Sequence, residues 1–172
     1  MRALLPGLTL AAVIALAAPA AHAKDLRNRF GVGFTNQLGT IPTLSARYGL
    51  PMPDQVINLQ LEVMAGFALT GDDSSTASVD ETGQSITAGA RLLYGLVAED
   101  NMNMYAAAGV GWVSSGSDMG LLVQPGFSVQ FFLFGLENLG FSADFGVSID
   151  LGTTSGMTTF AAAPGLGLHY FF

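Results

Sequence analysis

Apolar and polar residues alternate with a period of two in eight stretches of this chain: 28–36, 43–50, 56–69, 85–96, 102–113, 121–134, 140–151 and 158–172. Successive side chains of a strand point to opposite faces, so this period predicts strands, not helices. In the last stretch Phe160, Ala162, Pro164, Leu166, Leu168, Tyr170 and Phe172 alternate with Ala161, Ala163, Gly165, Gly167, His169 and Phe171. The other seven behave alike. Each has one parity free of charge, such as Phe30, Val32 and Phe34, or Ile57, Leu59, Leu61, Val63, Ala65, Phe67 and Leu69. The opposite parity holds Arg47, Glu62, Arg91, Asp144, Asp150 and His169, together with glycines such as Gly31, Gly33, Gly89, Gly109 and Gly146. Large apolar residues also occur on that second parity, notably Leu93, Val113, Leu122, Phe132, Phe134 and Phe171.

Composition decides which face meets which solvent. Mean hydropathy is +0.47, and only 11% of residues are charged, against about a quarter in an ordinary soluble domain. Yet after residue 23 no apolar run reaches the roughly 18 residues that a membrane helix needs. The remaining structure that pairs every backbone group in lipid is a closed β-barrel. Eight strands leave an interior just wide enough for side chains to fill, which suits many inward glycines around a few large residues. A charge on the lipid face would cost about 2–4 kcal/mol near the bilayer midplane. A soluble barrel would invert the pattern, with an apolar lumen and charged exterior, and a β-sandwich would use the aromatics as core. The expected fold is therefore all-β: a transmembrane, antiparallel, up-and-down barrel of eight strands forming one domain over 24–172.

Residues 1–23 read as a leader. Arg2 supplies the positive start, Leu4 to Ala18 the apolar segment, Pro19 a helix break, and Ala21-His22-Ala23 a small-x-small cleavage site. Without Arg2 the chain keeps five of its six Lys and Arg against thirteen Asp and Glu, a net of −8. Such a chain has no basic patch for nucleic acid. Absence of cysteine removes disulfide and thiolate chemistry.

With the first strand starting in the periplasm, the turns at 51–55 (Pro51, Pro53, Asp54), 97–101 and 135–139 face inward to that compartment. The connections near 37–42, 70–84, 114–120 and 152–157 face outward, and 70–84 is the longest and most polar. Phe34, Phe67, Trp112 and Phe160 fall near the outer ends of their strands. Phe30, Tyr48, Tyr94, Phe131, Phe141, Tyr170 and Phe172 fall near the inner ends, so the two sets suit the two interfaces.

The candidate chemistry lies on the inward parity. Arg47, Glu62 and Arg91 occupy successive strands at one level, which predicts Glu62 bridging both arginines with Asp144 reaching across the lumen, and Asp150 is expected in the same lumen ion network. A structural plug is expected over an ion gate, because eight strands leave no continuous water path. His169, the one histidine after residue 23, has no Ser or Asp partner at a recognisable spacing, and with no cysteine a zinc site is not expected. Asp72, Asp73, Asp80 and Glu81 could gather a hard cation, but their spacing matches no EF-hand loop. Gly31-x-Gly33 and Gly109-x-Gly111 lie within strands and are not phosphate loops.

Leader, eight alternating strands and terminal Phe172 together resemble the small eight-stranded Gram-negative outer-membrane barrels typified by OmpA and OmpX. The turn segments 98–105 and 135–140 are similar to those of small barrels in this group. The resemblance implies residence in the cell outer membrane, among its lipids and lipopolysaccharide, as a monomer. It implies passage through periplasmic chaperones and the barrel-assembly machinery, with Leu166, Leu168, Tyr170 and Phe172 as the assembly signal. A lumen plugged by ions also follows from it. No peptidoglycan-binding domain follows Phe172, so an anchoring role is not expected. The expected function is structural or surface-interacting, without catalysis, cofactor or metal. The alternatives are a lipid-modifying barrel enzyme and a narrow channel or carrier for small solutes.

Overall fold

The computed structural model describes residues 24–38, 42–52, 58–70, 83–115, 118–152 and 158–172. Among them there are strands and turns but no helix. The strands are β1 (Phe30–Thr35), β2 (Thr43–Gly49), β3 (Leu59–Thr70), β4 (Gly83–Glu99), β5 (Met102–Ser115), β6 (Asp118–Leu133), β7 (Leu136–Gly152), β8 (Thr158–Ala162) and β9 (Gly165–Phe171). Each of β1 to β7 pairs antiparallel with the next. β7 pairs with both β8 and β9, and β9 closes on β1 from Gly31↔Phe171 to Thr35↔Gly167. Chain neighbours are thus sheet neighbours, and the result is a closed, eight-stranded, up-and-down barrel.

β8 and β9 are two halves of one stave. The alternation over 158–172 predicts a single strand, but Pro164 has no N–H to donate, and the ladder breaks at Ala163-Pro164. The Ala163 amide still bonds to the Gly146 carbonyl at 2.9 Å. Among the described residues β8 pairs with β7 alone.

The inner turns are tighter than the sequence suggests. Strand pairing runs through 97–99 and 136–139, leaving Asp100-Asn101 and Phe134-Gly135 as the turns. Gly135 has φ +80°, the left-handed value that a type II turn requires at its third residue. Phe134 therefore does not point into the lumen as its parity implies. It sits at the turn tip, 89% exposed. A register shift between Gly95 and Val97 similarly leaves both Leu96 and Val97 on the outside. Of the sequence assignments, Pro53, Asp54 and Ile57 lie outside the described residues, as do the side chains of Leu69 and Phe160.

Elsewhere the two parities separate cleanly. Phe34, Leu44, Val63, Phe67, Ile86, Val110, Phe127, Phe145 and Leu166 are exposed on the outer surface. Arg47, Glu62, Arg91, Asp144 and His169 are buried inside. Among the described side chains, exposed charges occur only at the inner rim and its lead-in, at Asp25, Glu99, Asp100 and Glu137. Glycine lets walls approach where the barrel closes: a Cβ on Gly33 of β1 would run into the Leu168 carbonyl of β9.

Candidate functional site

The lumen holds the densest chemistry. Register places Arg47 opposite Glu62 and Glu62 opposite Arg91, so three ions of β2, β3 and β4 share one rung. Gly31 and Gly109 flank that rung, which leaves space for two guanidinium groups inside a narrow barrel. Glu62 Oε1 lies 3.1 Å from Arg47 Nε, and its Oε2 contacts Arg91 Nε. The far end of Arg91 forks onto Asp144 of β7, with Nη1 donating to Oδ1 at 2.9 Å and Nη2 to Oδ2 at 3.2 Å. Asp144 thus reaches Arg91 from the opposite wall. Two cations and two anions leave the layer without net charge, and the bidentate fork fixes its geometry.

Asp150 is not part of this layer. It lies six residues beyond Asp144 on β7, about 20 Å along the strand at roughly 3.3 Å per residue, with its carboxylate beside Gly120. Shared parity put it on the inward face, whereas the strand's rise set it at another level.

Three partners were not legible from spacing. Ser45 of β2 donates to Glu62 Oε1 at 2.5 Å, Ser142 of β7 accepts from Arg47 Nη2 at 3.2 Å, and His169 Nε2 stands 2.8 Å from Ser45 Oγ and 3.3 Å from Glu62 Oε1. Ser45 lies one rung from Glu62 on the facing strand, so inward parity on neighbouring strands was the available signal. With the Ser45 proton committed to Glu62, the His169 Nε2–H must be the donor to Ser45. That polarity is opposite to nucleophile activation, in which the imidazole accepts the hydroxyl proton and a carboxylate holds the other ring nitrogen. Here hydroxyl and carboxylate both occupy Nε2.

Toward the inner end, Gln60 Nε2 donates to Tyr105 Oη at 2.5 Å, and Tyr105 Oη lies 3.3 Å from Gln130 Oε1. Toward the outer end the chain after β1 folds into the lumen. Leu38 is buried against Gly89 and Gly111, and the Gln37 carbonyl accepts from Gln124 Nε2 at 3.0 Å. The lumen is therefore occupied by protein at several levels. Leu166, Leu168, Tyr170 and Phe172 line the outer surface of β9 and its end. Asp72, Asp73, Asp80 and Glu81 lie outside the described residues.

No family model matches the chain, and no curated protein matches it. Among solved structures the chain is similar to the Yersinia pestis outer membrane protein Ail, whose backbone structure was solved in a phospholipid bilayer nanodisc. The identity is 14% and the TM-score 0.44, over 84% of this chain and 97% of that one.

Proposed function

We propose that the chain is an integral outer-membrane barrel with a structural or surface-contact role and a lumen plugged by its own side chains. One observation carries the reading: large apolar residues cover the outside of a closed barrel while Arg47, Glu62, Arg91 and Asp144 are paired within it. Soluble monomers rarely expose a contiguous apolar patch beyond a few hundred Å². Hydrocarbon is the solvent such a surface matches. Tyr48, Tyr94 and Tyr170 near the inner strand ends, and Trp112 near an outer one, suit the two interfaces.

The neutral ion layer supports a plug rather than a pore, since Arg47, Glu62, Arg91 and Asp144 meet across the lumen. No catalytic step is assigned to Ser45 and His169. A role at the surface is supported by charge: none of the connections at 70–84, 114–120 and 152–157 holds a Lys or Arg, while 70–84 carries Asp72, Asp73, Asp80 and Glu81 and 114–120 carries Asp118. Outer-membrane lipid, lipopolysaccharide and the assembly machinery are the partners this reading implies, for a monomer delivered after loss of residues 1–23.

Migration on a detergent gel tests the barrel: the unboiled protein is expected to run faster than the boiled one. Identical migration would overturn the reading. In planar bilayers the plugged lumen is expected to give no discrete conductance steps, and steady steps from the unmodified protein would overturn the plug.

A further inference from the structure

We propose that Lys24–Asn28 is a stopper seated in the inner mouth of the barrel, forming a second barrier to solutes separate from the ion layer. This goes beyond the reading above, although it rests on the same barrel. A segment that merely led into β1 would lie in solvent. Instead, this one crosses the open end and is gripped from several walls.

Asn58, just before β3, and Asn103 of β5 are both buried, and their Nδ2 groups point to the Lys24 carbonyl at 3.4 and 3.5 Å. Leu26 is completely buried and packs with Phe132 of β6 and Phe171 of β9. The Lys24 ammonium lies 5.3 Å from the centre of the Phe132 ring and 3.4 Å from Glu137. Asn28, at φ 59°, turns the chain into β1 while its amide bonds to the Gly49 carbonyl at 2.8 Å. Asparagine tolerates that left-handed conformation better than most residues.

The parts divide the work. Amide groups that read a main-chain carbonyl fix the depth of the segment whatever side chain stands at 24. The aromatic pair selects an aliphatic side chain at 26. Between this seat and the ion rung lies the Gln60–Tyr105–Gln130 layer, so a solute from the inner side meets the stopper before the ion layer.

The chain has no cysteine, which makes one introduced thiol a unique reporter. Leu26→Cys and, as the exposed neighbour, Asp25→Cys are refolded in detergent and reacted with a charged maleimide. The thiol at 26 is expected to react at least tenfold more slowly than that at 25. Adding Asn58→Ala and Asn103→Ala is expected to raise the rate at 26 at least tenfold while the fast gel migration persists. Equal rates at 25 and 26 in the fast-migrating form, or a rate unmoved by the asparagine changes, overturn the stopper. Should Leu26→Cys not refold, Asn103→Cys behind the seat gives the same decision, compared with and without Leu26→Ala: release of protection supports the stopper, and no change overturns it. Gel migration reports on the barrel and labelling on the seat, so failure of one is distinct from failure of the other.

Discussion

Glu62 stands in register with Arg91 on the adjacent strand and contacts its Nε, while the same carboxylate's other oxygen meets Arg47 on the strand behind. One acid therefore holds two cations that are buried inside the barrel. Removing one partner of a buried ion pair costs about 3–5 kcal/mol, because the remaining charge is stranded. Glu62→Ala is expected to lose about that much stability in urea unfolding of the refolded barrel. A loss below about 1 kcal/mol would show that the layer is hydrated and does not hold the walls together.

Asp150 supplies the contrast. Its carboxylate has the same chemistry and parity as that of Asp144 but takes no part in the ion layer. Asp150→Asn is expected to change stability by no more than about 0.5 kcal/mol, whereas Asp144→Asn weakens the fork on Arg91 and should cost several times more. Equal losses in parallel unfolding curves would contradict the assignment of levels.

Strand parity reveals sidedness but not height. From alternation alone, the rung of Arg47, Glu62 and Arg91 was legible, because all three share the inward parity and fall in the inner half of successive alternating stretches. The level of Asp150 was not, nor was the pairing of Ser45 with His169, since β2 and β9 are far apart in sequence. Phe134 was misplaced because a tight turn ends the alternation one residue early. The break at Pro164 could have been read from the missing N–H, yet Pro125 sits within β6 without ending it. Burial of Leu26 and Leu38 had no periodic signal at all, as each belongs to a short irregular segment fixed only by the closed wall around it.

Asp25 accepts from Arg27 through both carboxylate oxygens, at 2.8 and 2.6 Å. Those hydrogen bonds hold its carboxyl below the ordinary value of 3.8. A depressed acid contributes stability above its unfolded value and loses it as pH falls through the folded one. The pair is exposed, so the contribution is small. The visible outcome is an Asp25 carboxyl titration by NMR with its midpoint below 3.8, rising toward that value in Arg27→Ala. An unchanged midpoint in that variant would deny the pairing.

The seam between β1 and β9 joins the two ends of the barrel sequence, and Gly33 lies in it. A Cβ there would meet the Leu168 carbonyl and the His169 Cα, both main-chain atoms that a rotamer change cannot move. Overpacking of this kind costs about 1–3 kcal/mol. Gly33→Ala is expected to reduce the fraction of fast-migrating barrel on refolding, whereas Gly135→Ala, in open space but at φ +80°, should leave the seam intact. Normal closure of Gly33→Ala would mean that the strands have room to separate.

Depth offers the sharpest test of which solvent bathes the outer wall. Val63 is about half exposed, near the middle of β3, with Ala46 and Ala90 beside it in register. Leu136 is equally exposed but opens β7 at the inner rim. In water the two positions would tolerate arginine alike, since each would simply gain a solvated charge. In a bilayer, arginine costs about 2–4 kcal/mol at the midplane and about 0–1 near the interface. Val63→Arg is therefore expected to unfold at distinctly lower urea than Leu136→Arg when both are refolded into lipid vesicles. Parallel curves for the two variants would place the outer wall in water and remove the ground for a membrane barrel.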